Sequence, residues 1–95
     1  MKKAYPISTT HEFDRCYKKL IKNNVQINKL IANALFMLSG NPFDQSLKTH
    51  KINSSRFGKV YSSRVNGDIR ILWSMTTSGE AVILCLTIGG HDRVY

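Results

Sequence analysis

The chain has 95 residues, 42% of them hydrophobic, and its fourteen Lys and Arg residues against six Asp and Glu residues give a net charge of +8. This length and composition predict one folded domain, residues 1–95, with a single core, and they exclude a disordered chain. No stretch approaches the ~18 consecutive apolar residues of a membrane-spanning helix, so no membrane-spanning segment is expected. The positive charge predicts a polyanionic partner, and charge alone leaves nucleic acid, an anionic membrane and an acidic protein open. Nucleic acid is the first candidate, and no membrane partner is expected.

The two cysteines predict neither a disulfide framework nor a metal site. Cys16 and Cys85 are too few for the first and lack the ligand spacing of the second. The basic N-terminus continues into Tyr5 and Pro6 rather than into the apolar stretch of a secretory signal. We therefore expect a cytoplasmic protein whose thiols are small buried groups in reducing surroundings.

The first elements along the chain are a short strand and an amphipathic helix. Residues 3–8 are β-like, and Pro6 confines this strand to an edge or a strand end. Thr9 and Glu12 have the spacing of a capping box, which predicts the start of a helix. Apolar side chains then recur at helical spacing, and they are Phe13, Cys16, Tyr17, Leu20 and Ile21.

A second helix follows Asn23-Asn24, which interrupts the helical pattern. Gly40 and Pro42 end this second helix. Its buried stripe is expected to contain Ile27, Leu30, Ile31, Ala34, Leu35 and Leu38. The two helices should form an antiparallel hairpin.

From Leu47 onward the apolar residues recur with a period of two, which predicts strands. We expect these strands at residues 50–52, 59–65, 69–75 and 81–88. Helices followed by consecutive strands indicate an α+β fold, in which a short N-terminal strand and a helical hairpin accompany an antiparallel sheet.

The turn between residues 59–65 and 69–75 leaves two registers open. A two-residue turn at Asn66-Gly67 would put Arg64 and Arg70 on opposite faces of the sheet. A three-residue loop that includes Asp68 would put both arginines on one face and Trp73, as a core residue, on the other. We favour the three-residue loop because it separates the large apolar groups from the charged ones.

On the last strand, alternate residues should face the helices, and these are Val82, Leu84, Leu86 and Ile88. The face away from the helices, here called the open face, should receive Ala81, Ile83, Cys85 and Thr87. Gly89-Gly90 then allows the polar tail, residues 91–95, to turn back toward the open face.

The polar residues of the sheet and the tail fit metal-free cleavage of RNA. This reaction needs a base for the 2′-OH, a cation for the phosphate and an acid for the leaving 5′-oxygen. Arg64 and Arg70 can clamp a phosphate through forked N–H donors. His50 and Asp68 are candidates for proton transfer, and His91 is the natural general acid because imidazole titrates near neutral pH.

Two more residues are candidates for substrate binding. Tyr95 can stack on a base or donate a hydrogen bond to phosphate. Lys51 adds a positive charge next to His50 in the sequence. No metal ion or other cofactor is expected.

Three segments resemble known proteins, and they are residues 47–52 (LKTHKI), 60–73 (VYSSRVNGDIRILW) and 88–95 (IGGHDRVY). In this order they resemble the RelE superfamily of toxins from bacterial type II toxin–antitoxin systems, with YafQ as the most similar branch. The resemblance covers nearly the whole chain, including the helical hairpin. It implies the RelE-like microbial RNase fold.

The resemblance also implies an activity and partners. A toxin of this kind enters the ribosomal A site next to 16S rRNA and cuts the mRNA there by 2′-OH attack, and a cognate antitoxin neutralises it. His50, Asp68, His91 and Tyr95 match functional positions of the YafQ branch. Arg64 departs from that branch, which has a histidine at this position, and agrees with the wider RelE group.

Two other functions remain open from the sequence. A ParE-like gyrase poison would share the architecture, although His50 and His91 argue against it because such a toxin lacks this catalytic tail. A non-catalytic nucleic-acid-binding or protein-binding relative would keep the scaffold without the chemistry.

Overall fold

The computed structural model describes residues 4–77 and 79–95. The elements in chain order are β1 Ile7–Thr9, α1 His11–Ile21, α2 Val25–Gly40, a 3₁₀ turn Gln45–Leu47, β2 His50–Ser54, β3 Gly58–Arg64, β4 Ile69–Thr76, β5 Val82–Gly90 and α3 His91–Val94. The five strands form one sheet in the order β1-β5-β4-β3-β2. None of the helices in the described residues has the length and apolar character needed to cross a membrane.

The predicted α+β architecture is confirmed. Strands β2 to β5 pair in antiparallel fashion, as expected, and β1 joins them as an edge strand parallel to β5. Pro6 precedes this edge strand, and its carbonyl accepts the N–H of Ile83 at 2.9 Å. The strand predicted at residues 3–8 begins with Lys3, outside the described residues, and the observed strand shares residues 7 and 8 with that range and ends one residue beyond it.

The start of α1 differs from the predicted capping box. Thr10, not Thr9, is the N-cap, and its hydroxyl accepts the N–H of Phe13 at 3.1 Å. The same hydroxyl donates to the Leu86 carbonyl at 2.8 Å, so Thr10 is also fixed to β5. This anchor sets the helix start one residue later, and Glu12 therefore does not complete the capping box with Thr9.

The two helices cover one face of the sheet and form the core with it. Asn24 caps α2 through its side chain, which accepts the N–H of Ile27 at 3.1 Å. The buried stripe of α2 is narrower than predicted, because Leu30 is 38% exposed. The fully or nearly buried members of the core cluster are Phe13, Ile31, Ala34, Leu38, Leu47, Ile69, Ile71, Trp73, Ile83, Cys85 and Ile88.

The favoured register of the β3–β4 hairpin is confirmed. The N–H of Val65 donates to the Ile69 carbonyl at 2.9 Å, and Arg64 lies opposite Arg70. The side-chain oxygen of Asn66 closes the three-residue loop by accepting two backbone N–H groups at 2.9 and 2.7 Å. Both arginines therefore share the open face.

A bulge in β5 changes which of its side chains face the helices. Leu72 pairs with Thr87 and Trp73 pairs with Cys85, so Leu86 is an extra residue on β5. One extra residue shifts the alternation of side chains along a strand.

The predicted facing of β5 is consequently wrong before the bulge and right after it. Ile83 and Cys85 are fully buried in the core, whereas Val82 and Leu84 lie outside the core cluster. Ile88 lies in the core as predicted. Burial raises the pKa of the Cys85 thiol to about 12, so this cysteine is a neutral apolar group.

Candidate active site on the open face of the sheet

Two guanidinium groups lie side by side at the turn end of β3 and β4. Arg64 Nε donates to the carbonyl of Asn66 at 3.0 Å, and Arg70 Nη1 donates to the same carbonyl at 2.7 Å. Arg70 Nη2 also donates to the Gly67 carbonyl at 3.3 Å. Within the described residues, neither arginine forms an ion pair with a carboxylate. Two fixed positive charges without a counter-ion create a local potential that favours an anion.

These arginines line a cavity of about 280 Å³ together with Lys48, His50 and Ser62. His50 pairs with Ser62 across β2 and β3, and Arg64 follows Ser62 two residues later on the same face. The lining therefore contains one lysine, two arginines and a histidine, and no carboxylate. A phosphate group has the charge and the acceptor oxygens that such a cavity can bind.

The backbone beside His50 fixes which ring nitrogen carries the proton. His50 Nδ1 lies 3.0 Å from the carbonyl oxygen of Lys48, and a carbonyl can only accept a hydrogen bond. Nδ1 is therefore the donor, and Nε2 carries the free lone pair when the ring is neutral. Lys48 has a left-handed backbone with φ 47°, which forms the tight turn before the strand. A neutral Nε2 is the group that a general base requires.

A chain of hydrogen bonds attaches the turn before His50 to the core. The indole N–H of Trp73 donates to the Ser63 hydroxyl at 2.7 Å. Thr49 shares a hydrogen bond of 2.6 Å with Ser63 and donates to the Pro42 carbonyl at 2.6 Å. Because Thr49 uses its proton on the carbonyl, Ser63 must donate to Thr49. The strand that presents His50 is thus held in place by buried groups.

The hairpin loop holds the start of α3. The N–H of His91 donates to the Asp68 carbonyl at 2.8 Å, and Asp68 Oδ1 lies 3.3 Å from the same N–H. A side chain at Gly90 would place its Cβ 3.1 Å from Asp68 Oδ2, closer than such contacts normally allow. Glycine at this position therefore permits the close approach of α3 to the loop.

The tail packs back on the sheet through Tyr95. Its hydroxyl forms a hydrogen bond with Ser62, which lines the basic cavity. The rings of His91 and Tyr95 meet edge to face with centroids 4.5 Å apart. The His91 side chain is 54% exposed, and its Nδ1 lies 3.5 Å from a carboxylate oxygen of Asp92. The imidazole of His91 therefore contacts Tyr95, and His91 does not itself line the basic cavity.

The structure brings most of the predicted site residues together. His50, Arg64 and Arg70 line one cavity. Tyr95 and His50 line a neighbouring cavity of about 310 Å³, so His50 is shared by both. His91 lines neither cavity, and its ring contacts the ring of Tyr95.

Two predicted residues have other positions. Asp68 lies at the loop and binds the backbone of His91, outside both cavities. Lys51 points to the opposite face from His50, with Nζ 6.0 Å from the ring centre of Tyr61. The structure adds Lys48 and Ser62 to the cavity. Period-two alternation from Arg64 identifies Ser62, whereas the left-handed turn that brings Lys48 in leaves no sequence signal.

Asp68 has two candidate roles, positioning of α3 and proton transfer, and the substitution Asp68→Asn separates them. If the protein cuts RNA, as the sequence predicts, and Asp68 only positions α3, Asp68→Asn should change the cleavage rate by about three-fold or less, because the amide oxygen still accepts a hydrogen bond. If Asp68 transfers a proton, the same change should lower the rate by roughly 10²-fold or more. We expect the small effect in a single-turnover cleavage assay. A large loss with an unchanged melting temperature would assign Asp68 to proton transfer.

Comparisons with known proteins agree on the fold. No protein-family model matches the sequence, and no curated protein matches it. A YoeB/ParE toxin from Agrobacterium tumefaciens is similar in structure, with a TM-score of 0.75, 14% identity, and coverage of 90% of this chain and 98% of the other.

Two further solved structures show the same likeness. YafQ from Escherichia coli strain BL21(DE3) has a TM-score of 0.74 and 16% identity, with 96% of this chain and 98% of YafQ covered. An archaeal RelE–RelB complex from Pyrococcus horikoshii has a TM-score of 0.71 and 18% identity, with 95% and 98% covered. The fold implied by the resemblance, that of the RelE/ParE superfamily toxins, is therefore confirmed.

Proposed function

We propose that this protein is the toxin of a type II toxin–antitoxin system and that it cuts mRNA in the ribosomal A site. The observation that carries the proposal is the cavity of Lys48, His50, Ser62, Arg64 and Arg70, with the His91–Tyr95 tail packed against it. Proton-transfer groups beside fixed cations are what metal-independent cleavage of a phosphodiester requires.

The geometry supports a division of roles. Tyr95 lines a cavity together with His50 and contacts the ring of His91, so we place the phosphodiester at Tyr95 within reach of both histidines. His50 Nε2 takes the proton of the 2′-OH, whose oxygen attacks phosphorus. His91 gives a proton to the departing 5′-oxygen, so that the products are a 2′,3′-cyclic phosphate and a 5′-OH. Arg64 and Arg70 stabilise the extra negative charge on phosphorus in the transition state.

Charge also supports the proposed partners. A net charge of +8 favours mRNA and 16S rRNA, both of which carry one negative charge per phosphate. The archaeal RelE structure is a complex with RelB, and we propose that a cognate antitoxin likewise binds this protein. The proposal places the protein in the cytoplasm, where ribosomes translate mRNA.

Primer extension on an mRNA in a bacterial translation extract tests the proposal. We expect site-specific cuts with the wild-type protein that depend on added ribosomes, with 5′-OH ends downstream. Trapped gyrase–DNA breaks without RNA cuts would instead indicate a gyrase poison. The absence of both products would leave a non-catalytic binding protein and would overturn the nuclease proposal.

A further inference from the structure

A third cavity lies beside the proposed active site, between α1 and α3. The cavity shared by His50 and Tyr95 also contains Val94, and Val94 lines a further cavity of about 310 Å³ on its other side. Neighbouring cavities thus share one lining residue, His50 for the first pair and Val94 for the second, so each cavity lies next to the following one.

The third cavity is positively charged. Its lining contains Lys19 of α1, Arg56 of the β2–β3 turn and Arg93 of α3. Glu12 is its one carboxylate, so the lining carries three positive charges against one negative charge, a net +2. Within the described residues, Lys19 and Arg93 form no ion pair. Their charges are therefore available to a ligand.

The charges of Glu12 and Arg56 partly neutralise each other. Arg56 Nη2 forms an ion pair with Glu12 Oε1, and this hydrogen bond lowers the pKa of the Glu12 carboxyl. The Arg56 side chain is 56% exposed and lines the third cavity, so part of its guanidinium still faces solvent. Arg56 can therefore keep Glu12 and still donate to an anion, because a guanidinium has five N–H donors.

We propose that the cavity of Lys19, Arg56 and Arg93 is a second phosphate subsite, which binds another phosphate of the same single-stranded RNA that is cut at the first cavity. This inference rests on the proposed function for the identity of the strand. Two cationic cavities separated by a half-apolar one match the alternation of phosphates and bases along a single strand. Arg93 and His91 belong to the same helix, so a strand bound at this subsite is aligned with the proposed general acid.

Binding of oligonucleotides of two lengths tests the subsite. The probes are a 2′-O-methyl dinucleotide, with one phosphodiester, and a 2′-O-methyl hexanucleotide, and neither can be cleaved by 2′-OH attack. Lys19→Gln/Arg93→Gln should weaken hexanucleotide binding by roughly 3- to 10-fold and make its salt dependence shallower, because one phosphate contact is lost. The dinucleotide should bind the variant and the wild type equally, since it cannot reach both cavities.

The matched control is Lys22→Gln/Lys29→Gln, which removes the same charge from exposed residues that line none of these three cavities. Equal hexanucleotide affinities for the two double variants would overturn the subsite, as would no binding of the hexanucleotide to the wild type. Glu12→Gln offers an independent check that removes no cation. It should tighten hexanucleotide binding by about two-fold or more because it removes the competing carboxylate, and weaker binding would contradict the subsite.

The two proposals can fail separately. Loss of the nuclease function would appear as an absence of RNA cuts and as no effect of Arg64→Ala on the dinucleotide. Loss of the subsite would appear in hexanucleotide binding, as equal affinities of the two double variants or as weaker binding by Glu12→Gln, while RNA cuts and the effect of Arg64→Ala on the dinucleotide remain.

Discussion

His91→Ala is expected to lower the rate of RNA cleavage by roughly 10²–10⁴, the usual range for loss of a general acid. The substitution leaves the backbone N–H that binds the Asp68 carbonyl, so α3 should keep its position. The measurement is the single-turnover rate in a ribosome-dependent assay. His11→Ala is the matched control, because His11 is an exposed residue at the start of α1 and lines none of the three cavities.

A substrate with a better leaving group identifies the role of His91 more sharply. In a 5′-phosphorothiolate linkage the leaving group is a thiolate, which departs without protonation. The His91→Ala variant should therefore cut this linkage nearly as fast as the wild type does. An unchanged rate on ordinary RNA would remove His91 from the mechanism. A loss of rate that the phosphorothiolate does not restore would show that His91 positions the substrate instead.

Arg64→Ala is expected to lower the cleavage rate by roughly 10²–10³, as for loss of a donor to transition-state charge. Arg64→Lys should recover only part of the rate, because an ammonium keeps the charge but lacks the forked geometry. We expect this loss because Arg64 lines the basic cavity together with His50, where the phosphate is proposed to bind. The measurement is kcat and KM on an mRNA in the presence of ribosomes.

Arg15→Ala is the control for Arg64, since Arg15 is an exposed guanidinium on α1 that lines none of the three cavities. A similar small change in both variants would mean that only overall charge matters at Arg64. A drop confined to KM would assign Arg64 to ground-state binding rather than to the transition state.

The register of the β3–β4 hairpin was predictable because its two faces differ in chemistry. Arg64 and Arg70 must share a face if Trp73 is to be buried, and the structure confirms this arrangement. The facing of β5 was not predictable in the same way. Residues 82–86 are apolar at every position, so no polar side chain marks the outer face, and the bulge at Leu86 leaves no trace in the pattern.

The sequence could predict which candidate residues lie together only where they belong to one strand or to paired strands. His50, Arg64 and Arg70 follow from alternation and strand pairing, and alternation should also have excluded Lys51 from the face of His50. The contact of Tyr95 with Ser62 depends on how α3 packs on the sheet, which no local pattern encodes. The helix start at Thr10 depends likewise on its hydrogen bond to β5.

The central claim is that His50, His91 and Arg64 act on one phosphate. Titration of the protein with a 2′-deoxy-substituted dinucleotide, followed by NMR of the histidine rings and the arginine side chains, tests it most directly. We expect the signals of all three residues to shift with one common dissociation constant while those of His11 remain in place. Shifts at His50 and Arg64 without a shift at His91, or with a different constant at His91, would contradict a single site.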